Sequence, residues 1–283
     1  MTEPAKQHQW ATSSFGDRPR TILNALQEGL TVDLIATSRD IFETCSTDEA
    51  ILSVIIRNSS KSFDFLPVLD SSTNRIVGLF ELAPFISCAE PDTRVAAAMQ
   101  NLSEENLIGA NASILAFVRN ADERRCRLII SQNEISGLVS LSDLQRLPVR
   151  AALFGLVTYL EIVMANVIRQ KFESEGEWLS ILPPGRRDNL KKEIAKAVST
   201  GNLVDPLLFT QFADKATLIR CCWQWSMGRD SFERDFGTME SLRNHLAHAN
   251  DYAASPEAAA ETCRIARLIE EWTEKLLELL TAQ

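Results

Sequence analysis

Residues 241–250 read Ser-Leu-Arg-Asn-His-Leu-Ala-His-Ala-Asn, placing two of the chain's three histidines, His245 and His248, beside Arg243 and Asn244. At 100° per residue, a helix here puts Met239, Leu242, Leu246 and Ala249 on one arc facing a core. Asn244 and His248, one turn apart, fall on the opposite side, with Ala247 between them and Arg243 on the flank. A permanent cation, an amide and an imidazole, whose unperturbed pKa is about 6.5, are thereby grouped. Such a set can transfer a proton near neutral pH while the guanidinium stabilises a developing negative charge. A solvated helix face has the same composition, so the setting of these residues decides between the two. His245 lies outside the group, toward the core flank, and is expected to be structural.

The elements that must hold this group are helical. Residues 151–172 form a long apolar helix with Glu161 and Asn166 among few polar positions; Glu161 is a possible partner for Arg243. Gly176, the Pro183-Pro184-Gly185 run and Gly201 are expected to break the chain between helices. Residues 188–198 carry lysines on a helix whose apolar members are Leu190, Ile194 and Val198. Arg186, Arg187, Lys191, Lys192 and Lys196 make the densest basic patch in the chain; the first four are candidates for RNA contact. Residues 206–225 have core-like helical spacing. Thr238 is an expected N-cap for the motif helix, and Asn250 and Asp251 its terminators. Ser255-Pro256-Glu257 opens a last helix, whose stripe Ile265, Ile269, Trp272, Leu276 and Leu279 packs on another helix. No strand is expected after Arg150.

At 283 residues the chain is long enough for two domains. Residues 1–150 carry 14 basic and 19 acidic side chains and the remainder 15 and 19, so neither half is a non-specific binder of polyanions. The six cysteines form no C-x-x-C pair, which with three histidines argues for reduced thiols and against a metal site. Adjacent Cys221 and Cys222 form a candidate redox pair. No hydrophobic run of transmembrane length and no signal peptide are expected, which implies a cytoplasmic protein.

Residues 1–20 are polar and without apolar period, as in a flexible arm. A helix is expected from Thr47 to Ile56, strands at 65–69 and 75–80 with Pro67 at a strand start or edge, and a turn at 71–74. The phrase Ile76-Val-Gly-Leu-Phe-Glu-Leu82 then returns as Ile135-Ser-Gly-Leu-Val-Ser-Leu141, identical at four positions with an offset of 59. A short apolar strand and a turn precede each copy, so two α/β units, each a hairpin followed by a helix, are expected as a pseudo-symmetric pair.

This repeat resembles a tandem pair of CBS domains over residues 21–150. Gly137-Leu-Val-Ser-Leu-Ser-Asp143 resembles the family's nucleotide-contacting motif. The resemblance implies an adenine nucleotide (ATP, ADP or AMP) as regulatory ligand, with Gly137 in the motif, Ser140 on the phosphate and Asp143 on the ribose. The first copy departs from the pattern, with Glu81 and Pro84 at the equivalent positions, so one site is expected rather than two. The alternative for Asp143 is that it caps the following turn.

Residues 151–283 resemble the HEPN superfamily: an all-α half with Arg243-Asn244 and His248 on its penultimate helix and a long final helix behind it. The expected fold class is therefore α+β in two domains, a CBS pair followed by a HEPN-like bundle. That resemblance implies a dimeric, metal-independent endoribonuclease with catalytic Arg243, Asn244 and His248. The 2′-hydroxyl would attack the adjacent phosphorus to give a 2′,3′-cyclic phosphate, with no catalytic cofactor. RNA, a second copy of the chain and a neutralising or regulatory protein, as for a toxin-like ribonuclease, are the implied partners. The alternative is a nucleotide-sensing adaptor whose helical domain docks a protein partner.

Overall fold

The computed structural model describes residues 19–61, 63–87, 92–199, 205–222, 225 and 228–281. The expected arm lies outside them except for Pro19 and Arg20, which open helix α1 (Pro19–Gly29). Cys88, Gly201 and the side chain of Cys222 also lie outside. The described residues form two compact units, one within Gln27–Ala152 and Ala253–Cys263, the other within residues 19–26, Leu153–Tyr252 and residues 264–281.

The first unit is built twice from the same parts. In chain order these are β1 (Thr37–Ser38), β2 (Cys45–Ser46), α2 (Ile51–Asn58), β3 (Phe65–Leu69) and β4 (Ile76–Glu81), then β5 (Gln100–Asn101), β6 (Leu107–Gly109), α3 (Ile114–Val118), β7 (Cys126–Ser131) and β8 (Glu134–Ser140). The sheets run β2-β3-β4-β5 and β1-β8-β7-β6, so each copy lends its leading strand to the other copy's hairpin. The exchange is matched bond for bond. The Ile51 amide donates to the Thr93 carbonyl at 2.9 Å, and the Ile114 amide to Leu30 at 2.8 Å; Val95 donates to Glu49, and Val32 to Ala112. Both hairpins carry an irregularity at the same place, Val68/Leu69 and Ile129/Ile130.

Alternation along the hairpins sets two cores. Phe80 packs with Ile51, Val54 and Leu66 under α2, while its neighbour Leu79 joins Leu138, Cys126 and Leu128. Burial pushes the Cys45 thiol up to about 12, so it serves as a packing group.

Three local expectations are corrected here. Helix α2 starts at Ile51 rather than Thr47, because the Thr47 carbonyl accepts from Ala96 and the Ile51 amide donates to Thr93, which removes both partners of the first helical bond. Pro67 lies within β3; β2 pairs only from Val68 onward, so no β2 carbonyl awaits the missing N–H. Each hairpin leads into a 3-10 turn, Ala83–Phe85 and Leu141–Gln145, in place of a helix.

The second unit is helical: α4 (Leu147–Lys171, entered from the first unit), α5 (Glu175–Ile181), α6 (Pro184–Ser199), α7 (Phe212–Cys222), α8 (Arg229–Ala247) and α9 (Pro256–Thr281). No strand follows Ser140 among the described residues. Gly176, Pro184 and Gly185 stand in first turns rather than between helices, and Pro148 in the first turn of α4. These are positions where a missing donor or a weak former costs little. Residues 206–209 form a 3-10 turn before α7. Against expectation, α4 is long and apolar enough to cross a membrane by length and composition; Leu153, Leu156, Leu160, Val163, Met164, Val167 and Ile168 are buried, as in a core helix.

Phe232, Phe236, Met239, Leu242 and Leu246 form the buried stripe of α8. Trp272 of α9 meets Phe236 and Phe232 edge-on, with ring centroids 4.8 and 5.2 Å away, and its Nε1 donates to Asp235 at 3.2 Å. Loss of such an aromatic costs about 3–5 kcal/mol, so this cluster fixes the rotation of α8 and the direction in which its polar face looks. Helix α8 begins nine residues before the expected cap; Thr238 is internal and its hydroxyl returns to the Asp235 carbonyl.

The helix ends earlier than expected, too. Ala249 is exposed and left-handed, with φ 55°, rather than on the buried stripe. The Asn250 amide closes the end by donating to His245 at 3.0 Å.

A Cβ added at Gly78 would stand 2.2 Å from the Gln100 carbonyl oxygen, and one at Gly137 2.7 Å from that of Thr37. Gly78→Ala and Gly137→Ala should each destabilise the protein by about 1–3 kcal/mol, the former more, as read by urea unfolding. Ala249→Gly should stabilise it by about 1 kcal/mol, whereas Ala247→Gly, one step inside the helix, should lower the melting temperature.

Candidate functional site

Arg243 lies near the end of α8 with its side chain 35 % exposed. Its Nε donates to Glu161 Oε1 of α4 at 3.4 Å and its Nη1 to Asn244 Oδ1 at 3.2 Å. A guanidinium carries five N–H groups; the others have no protein partner among the described residues. Asn244 and His248 are exposed, and the His248 amide donates to the Asn244 carbonyl at 3.0 Å. The stripe of Met239, Leu242 and Leu246 faces inward, as the spacing requires. The guanidinium is thus held by Glu161 and Asn244 while remaining part-exposed, and His248 is the exposed capping residue at the end of the same helix. His245 is exposed rather than on the core flank, with Nδ1 2.8 Å from the Ser241 carbonyl.

Two of the four basic residues expected to meet RNA are used inside the fold. Arg186 donates to Asp214 from Nη2 at 2.8 Å and to the Phe209 carbonyl, and Arg187 donates to the Leu182 carbonyl. Both are half-buried, because α6 docks through its first turn. Lys191 and Lys192 remain exposed.

In the first unit a cleft of ≈ 400 Å³ opens where Ser140, Ser142, Glu81, Arg125 and Phe65 meet the backbone of Ala253 and Ala254. Glu81 and Ser140 are equivalent positions of the two copies, as are Ala83 and Ser142, so the cleft lies along the internal two-fold relation. Glu81 is paired with Arg125 at 3.6 Å, which offsets its charge.

Ser140 reaches the cleft, its hydroxyl 2.8 Å from that of Ser142. Asp143 does not. It is buried, with Oδ2 accepting from the Ser140 amide at 2.7 Å and Oδ1 paired with Arg146 Nε at 2.7 Å. Burial pushes its carboxyl up, against the pull of the Ser140 amide and Arg146. It caps the turn, the alternative role expected for it from the sequence. Gly137 is explained by the Thr37 carbonyl pressed against it.

The sequence reading missed the Ala253–Ala254 wall and Gln145, whose side-chain oxygen accepts both of those amides at 3.0 Å. It also missed Lys215, whose Nζ lies 3.4 Å from Glu161 Oε2. No local spacing signals either, since the partners are more than fifty residues apart.

No family model matches the chain, and no curated protein does. Solved structures do match. The CBS domain of a bacterial CNNM/CorC family Mg2+ transporter in complex with ATP is 16 % identical, with TM-score 0.37, over 45 % of this chain and 92 % of that one. The CBS domains of a transcriptional regulator from Streptococcus pneumoniae are 15 % identical, with TM-score 0.33, over 40 % and 95 %. The CBS domain protein TA0289 of Thermoplasma acidophilum, of unknown function, is 17 % identical, with TM-score 0.34, over 44 % and 75 %. Each of these three CBS-domain structures aligns with a little under half of the chain.

Proposed function

We propose that the protein is a HEPN-type endoribonuclease regulated by an adenine nucleotide. One observation carries the catalytic half: a part-exposed guanidinium held by Glu161 and Asn244, at the same helix end as the exposed His248. In the proposed reaction the ribose 2′-oxygen forms a bond to phosphorus as the bond to the 5′-oxygen breaks. An imidazole takes the 2′-hydroxyl proton and another returns one to the leaving oxygen. One chain supplies a single His248, so the full cycle uses two chains with small Ala247 allowing close approach. Arg243 faces the charge that builds on the phosphoryl oxygens, Asn244 orients its guanidinium, and Lys191 and Lys192 take flanking phosphates.

The regulatory half is the cleft at Ser140, where a hydroxyl can donate to a nucleotide phosphate and Phe65 offers an apolar face. Asp143 holds the turn that presents Ser140.

A nucleotide-sensing adaptor is the second reading, favoured by the Arg243–Glu161 pair, which is also an ordinary way to join two helices.

Incubation with labelled RNA in chelator should give 2′,3′-cyclic phosphate ends. Arg243→Ala and His248→Ala should each slow cleavage by about a hundredfold or more; variants that cut like the parent would leave only the adaptor. Titration calorimetry with ATP, ADP and AMP should show binding that Ser140→Ala weakens by about tenfold, and no heat with any of the three removes the sensor.

A further inference from the structure

Glu161 receives two cations. Its Oε1 faces Arg243 Nε and its Oε2 faces Lys215 Nζ, each at 3.4 Å. The Lys215 side chain is only 8 % exposed, and its Nζ also donates to the Thr210 carbonyl at 2.8 Å. Burial pushes the Lys215 ammonium below the usual lysine range, and Glu161 opposes that shift. A buried ion pair is a costly way to join α4 to α7, since an apolar side chain of similar volume serves as well or better. What the lysine adds is charge.

We infer that Lys215 is a positioning residue for the proposed reaction: it neutralises Glu161, so that the charge of Arg243 stays available to the phosphate. This rests on the ribonuclease reading. With all three residues the cluster carries one net positive charge. Without Lys215, Glu161 and Arg243 form a one-to-one pair of no net charge, and the carboxylate competes with phosphate for the guanidinium. Because Glu161 is largely shielded from water, that competition is weakly screened.

The test is a cycle of Lys215→Met, Glu161→Gln and the two combined, read on RNA cleavage. Lys215→Met should lower kcat on the order of tenfold with KM little changed. Adding Glu161→Gln should restore most of that loss, because the amide cannot quench Arg243. Lys215→Arg, which keeps the charge, should retain more activity than Lys215→Met. A lysine that only ties helices predicts the reverse, with the losses adding. Lys215→Gln, which keeps a donor for Thr210, replaces the methionine variant if that one does not fold.

Titrating the Arg243 Nε–H resonance with inorganic phosphate reads the same balance without cleavage. Affinity should be lower in Lys215→Met than in the parent or the combined variant. That order in a protein that leaves RNA intact supports the charge balance and removes the ribonuclease reading. Cleavage by the parent with additive losses, or equal phosphate affinity in all three, overturns the inference and leaves the ribonuclease reading standing.

Discussion

Two backbone carbonyls pressed against two glycines hold the first unit together. The Gln100 carbonyl lies over Gly78 and the Thr37 carbonyl over Gly137, in each case where a leading strand crosses to the hairpin of the other copy. Neither hairpin is a complete sheet by itself. The exchanged strands satisfy the outer edges of β4 and β8 and bring Leu79 and Leu138 into one shared core. The cleft follows from this arrangement, because the equivalent ends of β4 and β8 converge along the internal two-fold relation.

In the second unit the deciding contact is electrostatic and rests on an aromatic frame. Trp272 fixes α8 through two phenylalanine rings and Asp235, which turns the Arg243 flank toward α4. Glu161 meets it there, with Lys215 on its other oxygen. A carboxylate between two cations leaves one net positive charge in this cluster of three side chains.

Patterns of short period were legible in the chain. The stripe of α9, the Ser255-Pro256-Glu257 start and both hairpins have bounds close to those expected from spacing and capping, and Met239, Leu242 and Leu246 of α8 face inward as expected. Where the reading failed, a longer-range bond had replaced a local preference. Thr47 carries a capping side chain, yet its carbonyl belongs to Ala96 and the Ile51 amide to Thr93, so the helix waits until Ile51. Thr238 reads as a helix start, yet the aromatic packing of Phe232 and Phe236 carries α8 straight through it. Arg186 and Arg187 read as a basic patch, yet Asp214 and two carbonyls lie within reach once α6 docks.

The sequence by itself determined the internal repeat, the all-helical character of the second half and the closeness of Arg243, Asn244 and His248 along the chain. Each is written in spacings of a few residues or in identity between two segments, and neither needs a folded neighbour to be read. Tertiary structure alone decided that Asp143 caps a turn, that Gln145 holds residues 253 and 254 at the cleft, and that Lys215 shares Glu161 with Arg243. Those outcomes depend on which buried polar groups meet across the fold, and a buried group must find a partner wherever the chain brings one.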